Sequence, residues 1–147
     1  MTTAYSSQSN QTTTTGALKN GIIAGLGGGL IFGIMMAMMN MLPMVGMLVG
    51  QESSVVGFFV HMAISAFFGA AFGLVAAQFF QGWTMTLIAG LVYGVIVWFV
   101  GALVMMPLML GMNEMVLQIG QAQWMSLVGH IIFGLVTGGI FAWLSQR

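Results

Sequence analysis

The sequence predicts an all-α integral membrane protein whose fold is a four-helix bundle. We expect the bundle to consist of two tandem two-helix hairpins, related to each other by a pseudo-twofold axis along the membrane normal. Three observations predict it: an apolar composition, four long apolar runs and a repeated pattern of small residues. Hydrophobic residues make up 59% of the 147-residue chain and charged residues 3%. A water-facing surface needs roughly a quarter or more charged side chains. We therefore expect the lipid bilayer to surround most of the chain.

The composition also excludes several functions. The chain has no cysteine, which excludes disulfides, iron–sulfur clusters and thiolate–zinc sites. Its net charge is +0, whereas nucleic-acid binding needs a basic surface. The acidic residues Glu52 and Glu114 are far from either histidine in sequence, and no Gly-x-Ser-x-Gly nucleophile motif is present. We expect neither catalysis nor nucleic-acid binding.

Four apolar runs predict the membrane spans, because about 20 apolar residues cross the hydrocarbon as a helix. A polar N-terminal tail, residues 1–17, is expected to precede a membrane domain of residues 18–147. Proline removes a backbone donor, so Pro43 and Pro107 are predicted helix kinks. The predicted spans are approximately 21–49, 55–80, 85–112 and 124–144.

The few charges predict the orientation of the chain. An even number of spans puts both termini on one side, where Lys19 and Arg147 lie, with Glu52 and Glu114 in the turns opposite. Basic residues favour the cytoplasmic side. The prediction is a multi-pass protein of a bacterial cytoplasmic (inner) membrane with both termini in the cytoplasm.

Small residues recur at steps of four, which places them on one helix face for close helix–helix packing. Two of these faces also carry the only histidines of the chain, His61 and His130. The predicted helix-packing residues are Gly21, Gly25, Gly29 and Gly33 in the first span, Gly57, Ser65, Gly69 and Gly73 in the second, and Gly134 and Gly138 in the fourth.

The two halves of the chain share a pattern that indicates an internal repeat. Ala24-Gly25-Leu26 recurs as Ala89-Gly90-Leu91, Met41-Leu42-Pro43-Met44 resembles Met105-Met106-Pro107-Leu108, and His61 corresponds to His130. Two spans repeat with the same orientation, which predicts a pseudo-twofold along the membrane normal. The two imidazoles would then lie at one depth, symmetrically about that axis.

An ionisable residue inside a membrane is a candidate functional site, and three interpretations of the histidines stay open. In the first, each neutral imidazole bonds a carbonyl or a hydroxyl and links helices. In the second, His61 and His130 are axial ligands of a tetrapyrrole, haem or chlorophyll, that lies flat on the glycine faces. In the third, they bind copper(I) with some of the 16 methionines.

The last span also carries a family resemblance. Leu127-Val-Gly-His130-Ile-Ile-Phe-Gly134-Leu-Val-Thr-Gly138, together with Gly90-Leu-Val-Tyr-Gly94 and Met105-Met-Pro-Leu-Met109, resembles small bacterial four-helix membrane proteins of unknown function. The resemblance covers about residues 17–144. It implies a fold and a location, and it implies no chemistry.

These observations favour a non-catalytic accessory or structural subunit that packs within a larger membrane assembly. Its expected partners are the lipid bilayer and other membrane subunits. The alternative is a haem- or chlorophyll-binding subunit of an electron-transfer or light-harvesting complex. That alternative would use His61 and His130 as ligands.

Overall fold

The structure is a computed structural model that describes residues 13–147, and within that range all of its regular secondary structure is helical. Four of its helices are long and apolar enough to cross a membrane, as the sequence predicts. The elements are α1 (Thr14–Met38), α2 (Leu42–Gly46), a 3-10 turn (Met47–Val49), α3 (Ser54–Phe79), α4 (Trp83–Val97), a π-helical segment (Trp98–Met105), α5 (Met106–Met109), a second 3-10 turn (Asn113–Met115) and α6 (Gln121–Ser145). From α4 to α5 the chain forms one continuous span, Trp83–Met109.

The first span starts and ends earlier than the sequence predicts. The Thr13 side chain caps α1 by accepting a hydrogen bond from the Gly16 N–H at 3.2 Å, so the helix already includes the end of the predicted tail. Residues 1–12 lie outside the described range. The helix ends at Met38 rather than near residue 49, because Asn40 adopts a left-handed conformation with φ 53°. Pro43 therefore kinks no helix and lies in the first turn of the separate helix α2.

In the third span, the effect of proline appears upstream of Pro107. Proline has no N–H that could donate to the carbonyl four residues earlier, and its ring clashes with that carbonyl. That carbonyl belongs to Leu103, in a segment widened to π-helical hydrogen bonding. The Leu103 carbonyl accepts instead from the Leu117 N–H at 3.0 Å, so the loop after α5 folds back along the span.

The start of α6 is fixed to the same segment. The Trp98 indole N–H donates to the Gln123 carbonyl at 3.0 Å, and the Trp98 ring stacks on Trp124 with centroids 6.5 Å apart. Thus α6 begins beside the π-helical segment rather than level with the end of α5.

Helices α1 and α3 pack backbone to backbone in antiparallel register. The predicted small-residue faces meet in this interface, with Gly21 opposite Gly73, Gly25 opposite Gly69, and Gly29 opposite Ser65. A Cβ added at Gly25 or Gly69 would collide with the backbone of the other helix. No other residue type allows so close an approach of two helices.

Helices α4 and α6 pack in the same way. Here Gly90 faces Gly134 and Gly138, and Gly94 faces Gly134 and the backbone of His130. Gly57, which the sequence also assigns to packing, meets the Leu42 carbonyl of α2 instead of a long helix. The small-residue faces are thus covered by neighbouring helices of the same chain.

The two hairpins contact each other unequally. Helix α1 packs closely against α6 as well as α3, whereas the backbones of α3 and α4 stay farther apart. Between α3 and α4, the Tyr93 hydroxyl donates to the Phe68 carbonyl at 2.7 Å. A twofold axis would make the α1–α6 and α3–α4 contacts equivalent. This packing therefore does not show the predicted pseudo-twofold.

We expect Gly69→Ala to destabilise the bundle by about 1–3 kcal/mol, because overpacking forces backbone shifts. The added methyl would meet the backbone of Gly21 and Gly25. The free energy of unfolding in mixed micelles, measured by titration with a denaturing detergent, checks this. Gly139→Ala is the matched control, since its Cβ would lie at an ordinary 3.6 Å from the Leu87 side chain. Equal losses in the two variants would contradict the packing described here.

Candidate functional site

His61 lies on α3 and points at α1. It is 7% exposed, and its Nε2–H donates to the Gly29 carbonyl at 2.9 Å. A carbonyl only accepts, so the proton is on Nε2 and Nδ1 keeps its lone pair. The ring fits here because Gly33 has no side chain: a Cβ there would lie 3.1 Å from His61 Cδ2. The hydrogen bond joins two helices.

His130 lies on α6 and bonds within its own helix. Its Nδ1–H donates to the Ser126 carbonyl at 2.8 Å, one turn earlier, and the Ser126 hydroxyl lies 3.4 Å from the same nitrogen. The proton is therefore on Nδ1, and Nε2 keeps its lone pair. The two histidines thus adopt opposite tautomers and bond differently, unlike a symmetric pair.

One phenyl ring, that of Phe32 on α1, contacts both imidazoles. Its centroid lies 5.3 Å from that of His61 and 4.8 Å from that of His130, in edge-to-face arrangements. Phe32 is 4% exposed and lies against Gly129, where a Cβ would collide with its ring. The structure therefore brings His61 and His130 together in one layer, around Phe32.

The hydroxyls near these rings have separate roles. Ser65 is buried opposite Gly29, where a Cβ would meet its side chain. Thr137 is 0% exposed against Gly28, and within the described residues its hydroxyl has no hydrogen-bond partner. Neither of these two hydroxyls bonds an imidazole, and the N–H group of each ring donates to a backbone carbonyl instead.

The arrangement does not fit a tetrapyrrole between helices. A macrocycle would need the flat faces at Ser65 and Gly69 or at Gly134 and Gly138 to be free. The helices α1 and α4 cover those faces at backbone contact distance. Both rings also contact Phe32, which would have to leave its place against Gly129 for the two to share a haem.

Within residues 13–147, the methionines do not line up as one set of metal ligands. Met36 is buried with Phe32, Leu42 and Phe133, whereas Met38 is 83% exposed. Methionine is an adaptable filler of apolar cores. In the described range no three residues among His, Cys, Asp and Glu come together as a metal site. The positions favour packing over copper(I) ligation.

Sequence reasoning missed several residues that build this layer and its supports. The pair Gly90 and Gly94 has the same step of four as the other packing faces and could have been found by it. Gly129 and Phe32 carry no such signal. For Phe32, the sequence alone does not show whether a phenylalanine in an apolar helix faces lipid or a neighbouring helix.

Comparison with known protein families, curated proteins and solved structures found no match. The resemblance of the last span to small bacterial four-helix membrane proteins therefore stays a prediction. The four apolar helices indicate a multi-pass membrane protein in contact with lipid.

We expect His61→Leu to destabilise the bundle more than His130→Leu. Both variants lose contact with Phe32, but only His61 donates across to another helix. An interhelical hydrogen bond in a membrane is worth about 0.6–2 kcal/mol. The difference should therefore be about 1 kcal/mol in denaturing-detergent titrations. A larger loss in His130→Leu would contradict the assigned hydrogen bonds.

Proposed function

We propose that this protein is a non-catalytic integral membrane subunit that packs beside other membrane proteins. The observation that carries the proposal is the closed interior around Phe32. Both imidazoles there bond backbone carbonyls and serve helix packing. The four spans also carry many exposed large apolar side chains, so binding a neighbour within the membrane is the role that their outer surface supports.

The outer face of α3 is the proposed contact with that neighbour. Val55, Phe59 and Phe67 project from it and are 67%, 68% and 69% exposed, with the small Ala63 between the two phenylalanines. Large aromatic side chains give extensive contact area, and a small residue between them lets another helix approach. The glycine faces are used inside the bundle and are not available to a partner.

We also propose that the two hairpins arose by duplication. Gly25 meets Ser65 and Gly69, and the corresponding Gly90 meets Gly134 and Gly138. These equivalent contacts within each hairpin support a repeat, although the contact between the hairpins is unequal. A fragment of residues 13–82 that dimerises in micelles would support the proposal, and a strictly monomeric one would oppose it.

The proposed location is a bacterial cytoplasmic membrane with both termini in the cytoplasm. Thr14 and Gln146 border one cavity, so Lys19 and Arg147 lie at that end and Glu52 and Glu114 at the other. Basic residues favour the cytoplasmic side. The chain has no cysteine, so single cysteines at positions 53 and 146 report sidedness. In intact cells, only the first should react with an impermeant maleimide.

Capture of the tagged protein in a mild detergent tests the subunit proposal. We expect the wild type to elute with a partner and the Phe59→Ala/Phe67→Ala variant to elute alone, because the variant loses two exposed rings from α3. Ile31→Ala/Ile34→Ala, which removes exposed side chains from α1, is the matched control and should keep the partner. A wild type that elutes alone in bilayer nanodiscs and mild detergents alike would contradict the proposal.

The same preparation tests the tetrapyrrole alternative. Because neighbouring helices cover the glycine faces that a tetrapyrrole would need, we expect an absorption spectrum without a Soret band. A band that disappears in both His61→Ala and His130→Ala would instead favour ligation by the histidines and would count against the structural role given to them here.

A further inference from the structure

A cavity of about 690 Å³ opens at the end of the bundle that carries the termini. All four spans border it, together with the turn between α3 and α4. Its volume lies within the range of about 300–1,000 Å³ that is typical of small-molecule sites. Ala17, Phe141 and Ala142 supply a buried apolar floor.

The cavity lies where the backbones of α3 and α4 stay apart and only small side chains border the space between them. Deeper in the membrane the Phe72 and Tyr93 rings fill the space between the two helices, with centroids 5.2 Å apart. Toward the end, the facing side chains shrink to Ala77 and Thr86. Glycine faces would allow the two backbones to meet, but neither helix presents one to the other. The small side chains therefore leave a gap between α3 and α4.

Among the described residues that border the cavity, several are polar and none has a charged side chain. Lys19 and Arg147, the basic residues at this end, are not among the residues that border it. A charged ligand would lose hydration in a low-dielectric site without gaining a counter-charge. The ligand that fits is therefore neutral, and the apolar floor calls for a molecule with an apolar part.

The polar groups specify a hydroxyl. The Gln78 amide N–H donates to the Leu74 carbonyl at 3.0 Å, and the Thr86 hydroxyl donates to the Gly82 carbonyl at 2.8 Å, which leaves their oxygens as acceptors. The Ser145 hydroxyl is buried on the cavity wall, and within the described residues it has no partner. Buried hydroxyls are usually hydrogen-bonded. A ligand hydroxyl can accept from Ser145 and donate to Gln78 or Thr86.

We propose that this cavity binds a neutral lipid with a free hydroxyl head, of the diacylglycerol class. Its head would bond Ser145 and its glycerol and first acyl carbons would lie against Phe141 and Ala142. The site lies beside Trp83, an aromatic residue of the kind found where membrane meets water, which is the depth of a lipid head group. The site does not depend on the partner surface of α3.

Photolabelling of the full chain in detergent with a diazirine-bearing diacylglycerol tests the proposal. We expect saturable labelling of the segments that border the cavity, residues 74–86 and 141–146. Unlabelled dioleoylglycerol should compete, and anionic dioleoylphosphatidylglycerol should not. Equal competition by the two lipids, or labelling mainly elsewhere, would overturn the proposal.

Two variants sharpen this test. Ala77→Leu places a larger side chain on the cavity wall and should abolish saturable labelling. Ser145→Ala removes the unpartnered hydroxyl and should weaken competition by dioleoylglycerol about fivefold, the effect of one hydrogen bond. Thr84→Ala removes an exposed hydroxyl at the same end that does not border the cavity, so it is the control and should label as wild type.

Circular dichroism identifies any variant that fails to fold, and either cavity variant suffices for the test. Wild-type labelling in a folded Ala77→Leu variant, or unchanged competition in a folded Ser145→Ala variant, would overturn the assignment of the site.

Discussion

The glycine-to-glycine contact of α1 with α3 is the constraint on which the rest of the structure depends. Lipid tails are as apolar as leucine, so helices in a membrane associate through close packing and hydrogen bonds rather than through the hydrophobic effect. Here the backbones of Gly21 and Gly25 touch those of Gly73 and Gly69, and α4 and α6 repeat this contact at Gly90, Gly94 and Gly134. With one face of α1 used in this way, its other face is free to pack on α6 through Gly28, and α1 becomes the central helix of the bundle.

The histidine layer follows from that packing. Because α1 has glycine at position 33, the His61 ring can lie against it and reach the Gly29 carbonyl. Because α6 has glycine at position 129, the Phe32 ring can enter the same layer and contact both imidazoles. The histidines are thus part of the helix packing, and this is why a structural role explains them better than ligation of a flat macrocycle.

Much of this fold could be predicted from the sequence, because bilayer solvation and the step-of-four pattern both act locally. Four apolar runs gave the spans, and the small-residue faces of α1 and α3 meet each other. The break after Met38 was missed because methionines on both sides of Asn40 keep the hydropathy high. The π-helical segment depends on a donor from distant Leu117, and the unequal contacts of the hairpins depend on which bulky rings separate α3 from α4. Pro107 is a local signal for a distortion of the third span but not for its π-helical form, and the unequal contacts have no local signal. For the candidate site, the sequence indicated the two histidines but not Phe32, which holds them in one layer.

Magic-angle-spinning NMR of the protein in lipid bilayers, with ¹³C at glycine Cα, tests the central claim most directly. The structure predicts interhelical cross-peaks between Gly25 and Gly69 and between Gly94 and Gly134, because each pair meets at backbone contact distance. Gly139, whose nearest contact is the Leu87 side chain, should show no such peak to another helix. Absence of the Gly25–Gly69 cross-peak in a well-resolved spectrum of folded protein would contradict the glycine-packed bundle.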